Sequence, residues 1–451
     1  MKVGDRIELT LENLALGGEA IAHDADGMVM FVKDGIPGDR VLAQIAKRKK
    51  QFAAANIVDI LEPSPLRIPP RCEYFGRCGG CKWQHLSYEN QLKFKQQHVA
   101  ESFAHLANLR DVPISPILGT DSPWYYRNKM EFSFGQDETG ALVLGQHYPN
   151  RWDKLIDLEN CYLQSETAVD MFNLCRDFAK KQELTAYSGD TEQGLLRHLV
   201  VREGKHTGDI MVNVVTSGEY FPQMDRFVHY LTAGAPRITS IVQTINRRKG
   251  QSSQGQEELL VFGEPTICET INGLSFEISA KSFFQTNTRQ TEHLYQIVQR
   301  MADVGENGVA VDLYCGTGSI TLHLAQRARH VHGIELVEDA VRDAEKNAKR
   351  NQIENVSFHC GEAQKVFPTL ELDAPELIVV DPPRPGLSPK MVKYLLNAAP
   401  RQIIYVSCNP ATLARDAALF VEGGYAVREA QPVDMFPHTY HIETVVNLTR
   451  R

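Results

Sequence analysis

From Met1 to Ile60 apolar and polar residues alternate in short runs, among them Arg6-Ile7-Glu8-Leu9-Thr10, Met28-Val29-Met30-Phe31-Val32 and Arg40-Val41-Leu42-Ala43-Gln44-Ile45. A period of two marks strands with one buried face, and Gly17-Gly18, Asp26-Gly27 and Pro37-Gly38-Asp39 supply the turns between them. The segment predicts a small barrel of about five strands. The stretch Glu62-Pro63-Ser64-Pro65 through Pro69-Pro70 predicts a stiff, extended linker, because proline fixes the backbone and donates no hydrogen bond. Beyond it Ser87 is placed to cap a helix on which Tyr88, Leu92, Val99, Phe103 and Leu106 recur at helical spacing, with Glu89 at its positive end.

From Pro123 to Glu269 strand-like runs such as Asp209-Ile210-Met211-Val212-Asn213-Val214-Val215 mix with a few helices in no legible order. The last third is clearer. Strand-like runs stand at Val309 to Leu313, His330 to Ile334, Val356 to Phe358, Leu377 to Val380, Gln402 to Val406, Tyr425 to Val427 and Thr444 to Leu448, with helical stretches in most of the gaps. That alternation predicts a doubly wound, mostly parallel α/β sheet, in which ligands sit at the carboxyl ends of the strands.

Composition narrows the class. The 451 residues are 43% hydrophobic and 23% charged, enough for two or three domains with proper cores. There is no run of eighteen apolar residues, and Met1-Lys2-Val3-Gly4-Asp5 carries no secretory pattern, so a soluble, cytoplasmic protein with no membrane partner is expected. In a reducing compartment the nine cysteines are not expected to pair, and clustered ones point to metal or catalysis. A net charge of -8 excludes a chain that coats nucleic acid unspecifically. The basic runs Lys47-Arg48-Lys49-Lys50 and Arg247-Arg248-Lys249 are by themselves solvated faces.

Four motifs carry the chemistry. Asp312-Leu313-Tyr314-Cys315-Gly316-Thr317-Gly318-Ser319 follows a strand and opens a helix, so its glycines let backbone approach a ligand. A dinucleotide fingerprint wants a third glycine where Thr321 stands, which disfavours a nicotinamide or flavin enzyme. Glu335 closes the next strand, where an acid accepts hydrogen bonds from the ribose hydroxyls of an adenosyl ligand, S-adenosylmethionine as well as NAD. Asp381-Pro382-Pro383-Arg384 forms a stiff pocket wall after the fourth strand. Amino-methyltransferases place a base-stacking aromatic after a related loop; Arg384 stands there instead, which disfavours amino-group methylation. Cys408, in Ser407-Cys408-Asn409-Pro410, is a candidate nucleophile at the end of an apolar strand.

Together with Ser282-Phe283-Phe284-Gln285-Thr286-Asn287 and His441-Ile442-Glu443-Thr444, these motifs in this order resemble the RNA uridine-5-methyltransferases over nearly the full length. The resemblance implies a class I methyltransferase domain with a seven-stranded, mostly parallel sheet. It implies that Gln285, Tyr314, Glu335 and Asp381 bind S-adenosylmethionine, that Cys408 is the nucleophile, and that Glu443 is the proton acceptor. The amino-terminal barrel resembles the TRAM domain, an OB-like RNA-binding module. The expected units are residues 1-60 for the barrel, 61-270 for a central α+β domain, and 271-451 for catalysis, with the helix near 88-108 packing on the last.

Cys72, Cys78 and Cys81 follow a Cys-x5-Cys-x2-Cys pattern, with Cys161 far downstream. Four thiolates suit zinc or a 4Fe-4S cluster, and spacing alone leaves both open. The ribosomal RNA members of the family carry a 4Fe-4S cluster on this spacing, so the resemblance implies one here. Cys175, Cys268, Cys315 and Cys360 are expected in the core or loops, while Tyr126-Arg127-Asn128-Lys129 and Arg197-His198 are polar enough to hold phosphates or a flipped strand. The resulting expectation is a monomer that methylates a uridine of 23S ribosomal RNA. A transfer RNA enzyme and an inactive RNA-binding iron-sulfur protein are the alternatives.

Overall fold

The computed structural model describes residues 2-218, 221-235, 237-370, 372 and 375-451. The first strands form one sheet: Arg6–Thr10, Asn13–Leu14, Ala20–His23, Val29–Lys33, Arg40–Arg48 and Phe52–Glu62, six rather than about five because the two-residue Asn13–Leu14 pairs with Ala20–His23. The alternation sends Leu9, Ala22, Met30, Val32, Val41 and Ala43 inward, where they meet Trp83 and Leu86 from beyond the linker. Burial of such side chains is the main favourable term.

A second, seven-stranded sheet runs from Lys129–Gln136 to Glu257–Gly263, with helices Glu166–Lys181 and Met224–Gly234 packed against it through Phe172, Phe178, Phe227 and Leu231. Its strand order departs from chain order, and Ile210–Thr216 pairs in parallel with Ile238–Ile245.

The third sheet contains β1 (Val309–Leu313), β2 (His330–Glu335), β3 (Val356–Cys360), β4 (Leu377–Val380), β5 (Gln402–Ser407), β6 (Tyr425–Val433) and β7 (Glu443–Arg450). Their spatial order is β3-β2-β1-β4-β5-β7-β6. The first five are parallel, and β7 inserts antiparallel between β5 and β6. Strands buried on both faces need unbroken apolar runs, which Leu377-Ile378-Val379-Val380 supplies, all four residues being buried. The order reverses at β1 and β4, and such a switch point opens a crevice at the carboxyl ends.

Helix α1 (Tyr88–Glu101) begins at Ser87, whose Oγ accepts from Asn90 N, and runs into a π-helical turn at Ser102–Leu106. Val99 and Phe103 enter the core of the third sheet beside Ile378, Leu413 and Phe420. Leu106, placed on the same face by periodicity, is 60% exposed, because the wider π turn rotates it out. The buried side of α1 includes Gln91, Lys95 and His98, so its inward stripe is largely polar. No helix of the described residues is long and apolar enough to cross a membrane.

Candidate active site

The loop after β1 is built for close approach. Tyr314, Gly316 and Gly318 all have positive φ, and a Cβ on Gly318 would come within 3.0 Å of Ala344 and Phe358. Thr321 takes the third glycine position for a reason the sequence does not show: its Oγ1 donates to the buried Asp312 Oδ2 at 2.6 Å. Asp312 Oδ1 is buried without a partner, and burial raises this carboxyl to about 7. A narrow cavity lined by Gln285, Tyr295, Asp312, Tyr314, Gly316 and Asp381 opens there. Glu335 stands at the end of β2, accepting from Gly316 N at 3.1 Å and Val337 N at 2.9 Å. A carboxylate offers about four lone-pair sites, so acceptor capacity remains for hydroxyls.

Gln285 is positioned from outside its own sheet. Asn128 Nδ2 donates to the Gln285 carbonyl at 2.9 Å, and Arg202 donates to the carbonyls of Ala280 and Ser282. Gln285, Tyr314 and Asp381 therefore line one crevice, while Glu335 adjoins it by holding Gly316 N.

Cys408 is half-buried immediately after β5, and Asn409 caps the following helix Pro410–Glu422 by accepting from Ala411 N at 3.1 Å. Burial first, then the charges of Glu443 and Asp381, push its thiol up to about 11, while Arg384 pulls the other way. Glu443 is 5% exposed at the start of β7, and burial together with Asp381 lifts its carboxyl well above the ordinary range. Its sequence context is that of a surface acid at a strand start; the structure places it inside. Asp381 is raised to about 7 by lost solvation.

A second cavity of about 350 Å³ adjoins this crevice, lined by Phe283, Gln285, Arg127, Arg384, Lys82 and His441 among others. Phe283 is 71% exposed and borders both cavities, offering a flat apolar face to a planar ligand. Lys82, His441 and the aromatic role of Phe283 escaped sequence reasoning; only the position of Phe283 beside Gln285 signalled it. His441 is held neutral, its pKa lowered to about 4 by burial and then by Arg384.

Arg197 and His198 are corrected by the structure. They are 3% and 2% exposed, and Arg197 donates to the carbonyls of Asn246, Arg248 and Gly250, so it ties a loop instead of meeting phosphate. Tyr126 and Asn128 are likewise buried. In the run around them, Arg127 lines the pocket.

Cys72, Cys78, Cys81 and Cys161 line one cavity of about 290 Å³. Burial raises all four thiols, Cys78 to about 11 and Cys81 to about 12, and both of these feel Cys72 and Cys161. Among the described residues no three His, Cys, Asp or Glu side chains are arranged to hold a metal ion. This cavity shares Gly80, Arg127 and Thr286 with the pocket beside Arg384. Of the other cysteines, Cys175 and Cys315 are buried, Cys268 is half-buried and Cys360 is exposed.

This sheet order, the glycine loop, the acid closing β2 and the acid closing β4 define an S-adenosylmethionine-dependent methyltransferase. Residues 267–451 match the family described as tRNA (Uracil-5-)-methyltransferase, and residues 1–58 match the TRAM domain. An uncharacterised RNA methyltransferase of Halalkalibacterium halodurans is 38% identical over 446 residues, 98% of this chain and 97% of the relative. Another from Enterococcus faecalis is 40% identical over 452 residues, 100% and 98% of the two chains. The crystal structure of the Pyrococcus abyssi tRNA (uracil-54, C5)-methyltransferase in complex with S-adenosyl-L-homocysteine superposes with a TM-score of 0.81 at 27% identity, covering 98% of this chain and 100% of that one. The chain belongs to the uracil-5 RNA methyltransferase family.

Proposed function

We propose that this protein methylates carbon 5 of a uridine in 23S ribosomal RNA through a covalent adduct on Cys408, with Glu443 as proton acceptor. The observation that carries the reading is the apposition of Cys408 and Glu443 at the ends of β5 and β7, beside Asp381 and Arg384. Carbon 5 of an intact uracil is a poor nucleophile. Addition of the Cys408 thiolate to carbon 6 moves the ring π electrons onto the carbon 4 oxygen as an enolate, which makes carbon 5 nucleophilic. S-adenosylmethionine supplies the methyl group as an electrophile on its sulfonium. Glu443 then takes the carbon 5 proton, the carbon–sulfur bond to Cys408 breaks, and the thiolate is released. Arg384 favours the thiolate before attack. Gln285, Tyr314, Glu335 and Asp381 would hold the cofactor, Glu335 as an acceptor for ribose hydroxyls and Asp381 as a counter-charge for the sulfonium. Reaching carbon 6 requires a base turned out of its stack, and Phe283 provides a face to receive it.

The four cysteines suit a 4Fe-4S cluster. The four thiols line one cavity of about 290 Å³, a donor set that zinc would also accept. Cys72, Cys78, Cys81 and Cys161 would hold the cluster, and no electron is needed for methyl transfer. Its contribution is to fix Gly79 and Gly80, which line the substrate pocket. The chain then divides into an RNA-binding barrel at 1-60, a cluster-bearing central unit at 61-270 and a catalytic unit at 271-451, active as a monomer.

The combination of barrel and cysteine cluster favours ribosomal RNA. A transfer RNA substrate is the second reading, favoured by the similarity to the Pyrococcus abyssi enzyme, which acts on uracil 54 of tRNA. Anaerobically purified protein incubated with labelled S-adenosylmethionine and unmodified 23S or transfer RNA, followed by nucleoside mass spectrometry, decides between them. 5-Methyluridine in ribosomal RNA alone is expected. Product in transfer RNA alone reverses the substrate, and no product in either removes the reading.

A further inference from the structure

Between β6 and β7 the segment Asp434 to His441 crosses the molecule as a strap. Five consecutive carbonyls of it accept hydrogen bonds from residues outside it. Gln290 donates to Asp434 O at 2.9 Å, Asn287 to Met435 O at 3.0 Å, Lys95 to Phe436 O at 3.1 Å and Tyr126 to Pro437 O at 3.2 Å. His438 O receives the backbone N–H groups of Lys82 and Trp83, which directly follow Cys81. The strap then supplies Phe436, Thr439, Tyr440 and His441 to the substrate pocket and ends two residues before Glu443.

At its start lies an ion pair with no solvent contact. Lys95 Nζ stands 2.6 Å from Asp434 Oδ1, and both side chains are 0% exposed. The same Oδ1 accepts from Phe436 N at 3.1 Å, so the carboxylate shapes the turn while Lys95 holds both its carboxylate and its carbonyl. The partners are 339 positions apart in sequence. A buried pair of this kind is a weak source of stability, since well-packed apolar replacements are often as stable, whereas loss of one partner is costly. What it supplies is a defined geometry, and the geometry it defines is one wall of the pocket. Lys95 also helps keep His441 neutral, behind burial and Arg384.

We propose that Lys95 is a positioning residue of the methyl-transfer site: through Asp434 and the Phe436 carbonyl it fixes the strap that brings His441 to the pocket and Glu443 opposite Cys408. The proposal rests on the reading of Cys408 and Glu443 given above. A misplaced Glu443 leaves the carbon 5 proton in place, so the ring remains bonded to Cys408.

The test compares Lys95→Met with the double variant Lys95→Met/Asp434→Asn, which removes both charges yet keeps an acceptor for Phe436 N–H. Turnover on the RNA substrate is measured with KM for S-adenosylmethionine, thermal midpoint and protein–RNA adduct on denaturing gels. In both variants kcat falls roughly tenfold to a hundredfold, KM for the cofactor stays within about twofold, and adduct accumulates. The double variant recovers the wild-type midpoint without recovering turnover. Turnover that returns with the midpoint, unchanged turnover in Lys95→Met, or failure of both variants to fold would each overturn the proposal. Adduct in Glu443→Gln but none in the Lys95 variants overturns this proposal alone. No adduct in Glu443→Gln removes the underlying reading and this inference with it.

Discussion

Cys408 follows and Glu443 precedes the last registered pair of β5 and β7, and the Glu443 charge is felt at the Cys408 thiol. That last pair is Ser407 with Thr444; Cys408 is the first residue past β5, while Glu443 is the first residue of β7 and still pairs with Val433 of β6. On the proposed reading, one strand delivers a nucleophile and its neighbour a base to the same ring.

That arrangement separates two events of one reaction. Replacing Glu443 with Gln leaves the Cys408 attack available and removes the acceptor for the carbon 5 proton. The expected outcome is a protein–RNA adduct that survives denaturation, with product release slowed to near background. Cys408→Ala gives neither adduct nor product, and the double variant behaves like Cys408→Ala. Titration calorimetry on Cys408→Ala should show cofactor affinity within about twofold of wild type. Normal turnover in either single variant would end its assignment.

Arg384 is the cation that opposes burial at Cys408. With the thiol at about 11, turnover near pH 8 depends on a small thiolate fraction, and each unit of further rise removes tenfold of it. Arg384→Gln should therefore lower single-turnover methyl transfer by about tenfold at pH 8, a deficit that stays nearly constant up to pH 10 because the thiol still titrates above that pH. Arg384→Lys should recover part of the loss. Unchanged single-turnover rates in Arg384→Gln would end the assignment of Arg384 as the cation that favours the thiolate.

How much of this was visible in the sequence follows from where each partner lies. The strands of the third sheet were legible because both faces are buried, giving runs such as Gln402-Ile403-Ile404-Tyr405-Val406, and the motifs stand directly after them. Helix α1 was placed correctly at Ser87, yet its apolar residues misled about its inward face. Lys95 and Gln91 are buried because Asp434 and His438 receive them, and no local pattern announces partners in the last twenty residues of the chain. Arg197 failed for the opposite reason. A guanidinium surrounded by three carbonyls from one loop has the same local sequence as one meeting phosphate. The central sheet stayed illegible because its pairings skip along the chain.

On the proposed reading, Asp381 should give the site a pH-dependent grip on its cofactor. Its carboxyl is raised to about 7 by burial, so it is largely neutral below that pH and anionic above it. A sulfonium cation is favoured by the anionic form, and linkage then requires affinity to rise with pH through this window. Dissociation constants for S-adenosylmethionine should fall between pH 6 and 8 by up to roughly tenfold per unit, with proton release on binding. Asp312 and Glu443, both raised by burial, act in the same direction. S-adenosylhomocysteine, which lacks the charge, should show a flatter profile, as should Asp381→Asn with either ligand. Identical profiles for the two ligands on the native protein would rule out Asp381 as the counter-charge.

Gly318 tests whether the cofactor loop is under the steric control its backbone indicates. Its φ of 80° lies in the left-handed region, where a side chain costs about 1–2 kcal/mol. A Cβ there would also stand 3.0 Å from both Ala344 Cβ and the Phe358 ring, so the helix or β3 would have to give way. Gly318→Ala should lower the thermal midpoint and weaken cofactor binding together, because the same loop supplies Gly316 N–H to Glu335. Gly305 is the control: no heavy atom lies within 4 Å of its Cβ position, and Gly305→Ala should leave both quantities unchanged. If Gly318→Ala were as silent as Gly305→Ala in differential scanning fluorimetry and calorimetry, the close approach of this loop to Ala344 and Phe358 would not be what holds Glu335 in place.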